Sequence, residues 1–193
     1  MTETELKYRL ESDIETTRLE AFLGEPVARL LLATRYWLPT APPGAAVRLR
    51  EVDGATEASV KRSDRVPVDG LFIHDEQAER LDAGAAVAFI SGELPIDELP
   101  LVSRTGLRGP FRYVGLVLTR RHVYHVDGLP LEVDRVTFPD GCEDFELEVE
   151  TPDAAALRSK LMDLAARAGV ALRPSRKTKL GRLLDRINPE KQG

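Results

Sequence analysis

The sequence predicts an α+β protein, a closed antiparallel β-barrel of about eight strands that forms a tunnel with a charged interior and flanking helices. Three observations predict it. Short segments with a two-residue alternation recur between Gly turns, the pattern of an antiparallel sheet or barrel. Several of these segments place charged side chains at i and i+2, on one face: Glu3, Glu5 and Lys7; Arg48 and Arg50; Glu132 and Asp134; Glu146, Glu148 and Glu150. Their other face is apolar, with Leu6, Tyr8, Leu10, Val47, Leu49, Leu147 and Val149 suited to burial against helices. Any one charged face alone reads as the solvated side of a half-covered sheet. Taken together they read differently, because Glu146, Glu148 and Glu150 repel one another with no local cation, and closure brings the cations of other strands opposite them.

The 193 residues suit one domain, expected over 1–188 with a tail at 189–193. Hydrophobic residues at 42% supply a core and exclude disorder as the main state. The net charge of −5 argues against a protein that coats nucleic acid. The single Cys142 excludes an internal disulfide and a Cys-based zinc site. With no apolar leader after Met1 and no run near the roughly 18 apolar residues of a membrane span, the expectation is a soluble cytoplasmic protein without membrane partners.

Along the chain, Thr2 to Arg9 alternates as a strand. Ser12 or Asp13 then caps a short helix stopped by Gly24. Val27 to Trp37 reads as a strand ending before Pro39 and the Pro42-Pro43-Gly44 turn. Ala46 to Val52 and Thr56 to Lys61 flank Asp53-Gly54, a dipeptide favoured in tight hairpins. In the middle, Leu71 to Ile73 reads as a strand end, Asp75 to Asp82 as a helix, and Ala85 to Ile90 as either a short strand or a helical turn. Strands are expected again over 101–107, 111–119 and 121–126, then over 131–137 after Asp127-Gly128 and over 144–150 after Asp140-Gly141. Thr151 to Gly169 has helical spacing, capped by Thr151 or Asp153, and Leu180 to Ile187 forms a last amphipathic helix. The basic tail from Arg173 to Arg186 reads as a solvated helix face or as closure of one tunnel mouth. His122 and His125 fall on opposite strand faces, which disfavours a metal pair, and Cys142 reads as a passive turn residue.

A lumen lined by these charges is costly to desolvate unless it stays wet or holds a charged ligand. Paired carboxylates suit a hard cation such as Mg²⁺ or Mn²⁺, which is commonly shared with phosphate oxygens. Arginines and lysines on the facing wall suit a polyphosphate, Arg through bidentate bonds.

At these residues the sequence resembles the CYTH superfamily, the triphosphate tunnel metalloenzymes. Glu3-Thr4-Glu5-Leu6-Lys7 is similar to the family's N-terminal Glu-x-Glu-x-Lys signature. Arg48-Leu49-Arg50 resembles its arginine pair, Ser59-Val60-Lys61 its lysine strand, and Glu146-Leu147-Glu148 its late metal-binding strand. The stretch from Arg121 through Gly128-Leu129-Pro130-Leu131-Glu132-Val133-Asp134 to Thr151, with the tail Ser175-Arg176-Lys177-Thr178-Lys179, resembles the plant-type inorganic triphosphatase branch. Two departures stand out. Leu38 occupies the place of an Asp in the family's Tyr-x-Asp-Thr motif, which argues against a simple transfer of cyclase chemistry. The mid-chain Arg-x-Glu element has no clean match, since His74-Asp75-Glu76 lacks the arginine.

The resemblance implies divalent-metal-dependent hydrolysis of inorganic triphosphate or a related compound. Glu3, Glu5, Glu146 and Glu148 would hold Mg²⁺ or Mn²⁺, with Asp134 and Glu150 close enough to join them or to orient water. Lys7, Arg48, Arg50, Lys61, Arg104, Arg112 and Lys177 would grip the phosphates, Lys7 in a catalytic place with Asp134 and Glu150. Alternatives from the same resemblance are a class IV adenylate cyclase, a thiamine or nucleoside triphosphatase, and a non-catalytic polyphosphate-binding module. A monomer or homodimer acting on a small molecule, with no nucleic-acid partner, is expected.

Overall fold

A tight hairpin organises the first half of the sheet. In the computed structural model, which describes residues 2–63, 65–126 and 128–188, Asp53 and Gly54 both take positive φ (48° and 76°). That geometry matches the twist of the flanking strands, here β3 (Ala45–Val52) and β4 (Ala55–Arg62). The other strands are β1 (Thr2–Leu10), β2 (Ala28–Ala41), β5 (Leu71–Leu81), β6 (Arg108–Val126), β7 (Leu129–Thr137), β8 (Glu143–Glu150) and the two-residue β9 (Arg173–Pro174). They pair antiparallel in the order β5-β4-β3-β2-β6-β7-β8-β1, and β1 pairs back onto β5, so eight strands close into a barrel with β9 added outside on β1. Closure removes the free edges of the sheet.

The helices are α1 (Asp13–Leu23), α2 (Ala83–Ser91), α3 (Pro100–Thr105), α4 (Ala154–Ala168) and α5 (Lys179–Ile187), with a 3₁₀ turn at Ile96–Glu98. Ser12 caps α1 and Asp153 caps α4, each side chain accepting from the amide three residues on, and Gly24 and Gly169 close them. The outward apolar face expected of β1 and β8 is buried under α1 and α4: Leu6, Tyr8, Leu147 and Val149 pack with Leu19, Leu157 and Leu161. Val47 and Leu49 lie outward under Phe89, Leu99 and Leu101. Each such side chain contributes about 1.5–3 kcal/mol relative to exposure, so these layers hold the charged faces turned inward. A third cluster, Tyr36, Val117, Val136 and Phe138 with Leu183, lets α5 close one end of the barrel.

The middle of the chain departs from expectation. Residues 75–82, expected as a helix, run as the second half of β5, because Lys61↔Glu76 and Ser59↔Ala78 pairing with β4 outweighs the helix propensity of the Glu-Gln-Ala-Glu-Arg run. Residues 101–107, expected as a strand, begin inside helix α3, with Pro100 in its first turn and Gly106 left-handed at its end. Ala85 to Ile90 is helical within α2. The two strands expected at 111–119 and 121–126 are one continuous β6, and β2 runs on through Pro39 to Ala41. Asp127 of the Asp127-Gly128 turn and the tail at 189–193 lie outside the described residues.

Candidate functional site

Inside the barrel, register alone sets two walls. Lys7 faces Glu148, which faces Glu132, while Glu146 faces Asp134, which faces Arg121. On the other side Glu3 faces His74, Glu76 faces Lys61, and Ser59 faces Arg48. Strand parity therefore brings residues from seven strands to one lumen.

The deepest part is acidic. Asp134, Glu146 and Glu148 are buried, each offering an oxygen within 4.8 Å of the others. Arg121 donates to both oxygens of Asp134 (2.8 and 2.7 Å) and to Glu148 Oε2 (2.9 Å), and it also pairs with Glu132. Lys7 Nζ bridges Glu148 (2.8 Å) and Glu5 (3.1 Å), and His74 Nε2 lies 3.1 Å from the same Glu5 oxygen. From α5, Lys179 Nζ reaches Asp134, Glu146 and Glu148 at 2.9, 2.8 and 2.6 Å. Arg182, one turn on, pairs with Asp144 at 2.7 Å and with Glu146.

These contacts set the protonation states. Burial opposes ionisation of Glu5, but Lys7 and His74 outweigh it and hold its pKa down at about 2. Glu148 is likewise buried yet kept well below the ordinary carboxylate range by Lys179, Lys7 and Arg121. Burial opposes the charge on Lys7, and Glu148 and Glu5 overcome it, so the ammonium is held charged. Near β5 the balance differs. Burial and a hydrogen bond with Glu76 push Glu3 up to about 8 despite Lys61, whereas Arg48, Glu3 and Lys61 pull the half-buried Glu76 down to about 2 against its own desolvation. Lys61 touches Glu3 at 2.7 Å and Glu76 at 3.0 Å.

The facing wall is cationic. Arg48 donates to Ser59 Oγ (2.9 Å) and Glu76 Oε1 (2.7 Å). Arg50 has no acidic partner among the described residues, and its Nε is shut off from solvent without a hydrogen bond. Burial, with Arg48 and Arg121 beside it, lowers its pKa.

Of the residues singled out in the sequence, Glu3, Glu5, Lys7, Arg48, Arg50, Lys61, Asp134, Glu146 and Glu148 are gathered in this lumen. Glu150 shares their parity but is exposed at the rim, in register with Glu5. Three are not brought there. Arg104 lies on α3 outside the barrel, 57% exposed and paired with Glu79, because the strand expected to carry it inward is a helix. Arg112 is exposed, and the exposed Lys177 binds Asp185 at 2.5 Å. His74, Glu76, Lys179 and Arg182 were not anticipated as lumen groups. The alternation Phe72-x-His74-x-Glu76 carried the signal for the first two, and the one-turn spacing of Lys179, Arg182 and Leu183 for the others.

The donor set of the acidic cluster, oxygens only, fits a hard divalent cation. A closed barrel thus carries acidic and basic walls that face a common lumen. The chain belongs to the CYTH domain family, which matches residues 1–182. Its fold is similar to a Hippeastrum protein described as an adenylyl cyclase candidate with a dominant triphosphatase activity (21% identity, 95% of each chain, TM-score 0.81). It is also similar to adenylate cyclase candidates from Bacillus halodurans (19% identity, 94% of this chain and 97% of that one, TM-score 0.69) and Vibrio parahaemolyticus (18%, 96% and 98%, TM-score 0.56). No match was found among curated proteins. Among the described residues, no helix is long and apolar enough to cross a membrane.

Proposed function

We propose that this protein hydrolyses a phosphoanhydride bond of inorganic triphosphate, or of a closely related triphosphate compound, within the tunnel and with Mg²⁺ or Mn²⁺. The observation that carries the reading is Arg50, a lumen cation in contact with no acid among the described residues, which Glu148 favours only through its charge while burial and the charges of Arg48 and Arg121 oppose it. A charge left so is costly, and a polyanion lying between Arg50, Arg48 and Arg121 removes the cost. Lys61 and Lys7 extend that grip toward β1, so a linear chain of phosphates is held along the cationic wall with its far end against the carboxylates. Asp134, Glu146 and Glu148, whose oxygens converge, would hold the divalent ion, with Glu5 and Glu3 on β1 as further carboxylates toward the phosphates. That ion, when bound, neutralises phosphate oxygens and lowers the pKa of water. Arg48, Arg50 and Arg121 stabilise the charge that builds up as the terminal phosphoryl group transfers to water. Glu5, kept ionised by Lys7 and His74, orients the phosphate-facing ammonium of Lys7. No covalent nucleophile is required. The dominant triphosphatase activity stated for the Hippeastrum protein agrees with this reading.

Phosphate release from inorganic triphosphate, ATP and thiamine triphosphate, each with Mg²⁺, Mn²⁺ or chelator, tests it. Triphosphate turnover is expected with metal, to vanish with chelator and to fall by about two orders of magnitude in Glu5→Gln. Full activity in folded Glu5→Gln overturns the assignment. Tight binding without release replaces it with a binding module, and cyclic product from ATP replaces it with a cyclase.

A further inference from the structure

The cluster best suited to a divalent ion already holds a cation supplied by the chain itself. Lys179 Nζ lies 2.6–2.9 Å from one oxygen each of Asp134, Glu146 and Glu148, the three carboxylates that converge. An ion bound by those oxygens at roughly 2.0–2.1 Å sits where the ammonium sits. Space leaves no room for both. Lys7, Arg121 and Arg182 also touch the three carboxylates, but each has a second acid, Glu5, Glu132 and Asp144 in turn, whereas Lys179 touches the cluster and no other acid among the described residues, so it is the cation an incoming ion has to displace. We infer that Lys179 is a tethered stand-in for the divalent ion, so that seating of α5 and loading of the acidic cluster exclude one another.

The sequence around Lys179 is consistent with such a device. Lys179 is the first residue of α5, whose first turn holds no acidic side chain, so its ammonium stands at the positive end of the helix and owes its place to the cluster. Thr178 caps the helix by accepting from the Gly181 amide, which fixes the direction in which Lys179 leaves the backbone. The rest of α5 holds by separate means: Leu183 is fully buried at the barrel end, and Arg186 reaches Asp140 at 3.0 Å and Asp144 at 3.3 Å. Arg182 couples the two parts, since it binds both Asp144 and Glu146. Withdrawal of Lys179 therefore loosens the whole helix, and a helix loosened by other means gives up the cluster more readily. The inference rests on the proposed function only in taking the metal to be part of the cycle.

Calorimetric titration of Mn²⁺ into the chelator-treated full chain tests it, with hydrogen exchange of the α5 amides measured with and without Mn²⁺. Lys179→Met is expected to bind Mn²⁺ about tenfold or more tightly than wild type, because no competitor has to leave. Its melting temperature falls without the ion and is restored by it. In wild type, Mn²⁺ speeds exchange over 180–187. Leu183→Ala weakens the seat without touching the cluster and is expected to bind Mn²⁺ more tightly than wild type, so it carries the test if Lys179→Met does not fold. Equal or weaker binding in the variants, no binding in any of them, or Mn²⁺ bound to wild type with α5 exchange unchanged overturns the inference. Phosphate release on the same wild-type sample separates the two readings. Linkage without turnover removes the enzyme and keeps the stand-in, and turnover without linkage does the reverse.

Discussion

Glu3 and Glu76 turn two carboxyl groups toward each other across the seam where β1 meets β5, with Lys61 touching both. Such a pair shares a proton more readily than it ionises twice. Burial and Glu76 push Glu3 up to about 8 from an ordinary 4.5, so the folded protein keeps a proton that the unfolded chain has lost above that value. Stability contributed by that proton is therefore lost as pH rises from about 4.5 to about 8. Glu76, held at about 2, has the opposite sign: its contribution is complete above 4.5 and fades as pH falls toward 2. Glu3→Gln mimics the protonated form. It is expected to raise the melting temperature of chelator-treated protein at about pH 9 and to leave it nearly unchanged at about pH 4. An equal change at both pH values would refute the shared proton. Glu3 itself was legible in the sequence from its parity with Glu5 and Lys7, but its partner was not, because the Asp75–Leu81 segment carries strong helix formers and parity arguments apply only to strands.

Elements show the same division between local and long-range causes. The β3–β4 hairpin, α1 and α4 were legible because their turn and cap residues act within a few positions of themselves. The second half of β5 and helix α3 were not, since pairing with β4 and packing against Val47 and Leu49 decide them. Two glycines separate the two kinds of cause. Gly54 has φ 76° and a Cβ there meets nothing within 4 Å, so Gly54→Ala carries only the left-handed backbone penalty of about 1 kcal/mol. Gly70 has φ 79°, and a Cβ there lies 2.6 Å from the carbonyl oxygen of Lys7 and 3.4 Å from Pro174 Cα, where β1, β5 and β9 meet. Rigid backbone has to move, so Gly70→Ala is expected to cost about 3 kcal/mol. It also displaces Lys7, whose amide donates to Gly70 oxygen at 2.8 Å. Urea unfolding of the two variants measures the difference, and equal losses would show that β1 is not pinned at Gly70.

At the scale of the whole molecule, the apolar shell fixes which way the charges face, and the charges then have to be balanced inside. That inward gathering was readable because like charges alternated on several strands at once. The role of α5 was not, since a solvated helix face and a helix closing a barrel end share the same period. Balance is nearly complete: Lys7, Lys61, Arg48, Arg121, Lys179 and Arg182 each touch carboxylates, and Arg50 alone among these lumen cations lacks one in the described residues. A buried cation without a contacting carboxylate costs stability in the empty barrel and gains it back when an anion arrives, so function and stability pull in opposite directions at this position. Arg50→Met is therefore expected to melt no lower than wild type in the absence of polyanion. Saturating inorganic triphosphate raises wild-type stability by about 2.7 kcal/mol at one hundred times its dissociation constant. The variant gains far less at the same concentration, because the ligand loses the cation that had no other partner. Thermal unfolding with and without triphosphate reads both effects. A variant that melts well below wild type when empty, yet keeps the full shift with triphosphate, would make Arg50 part of the scaffold and leave the tunnel without its anion seat.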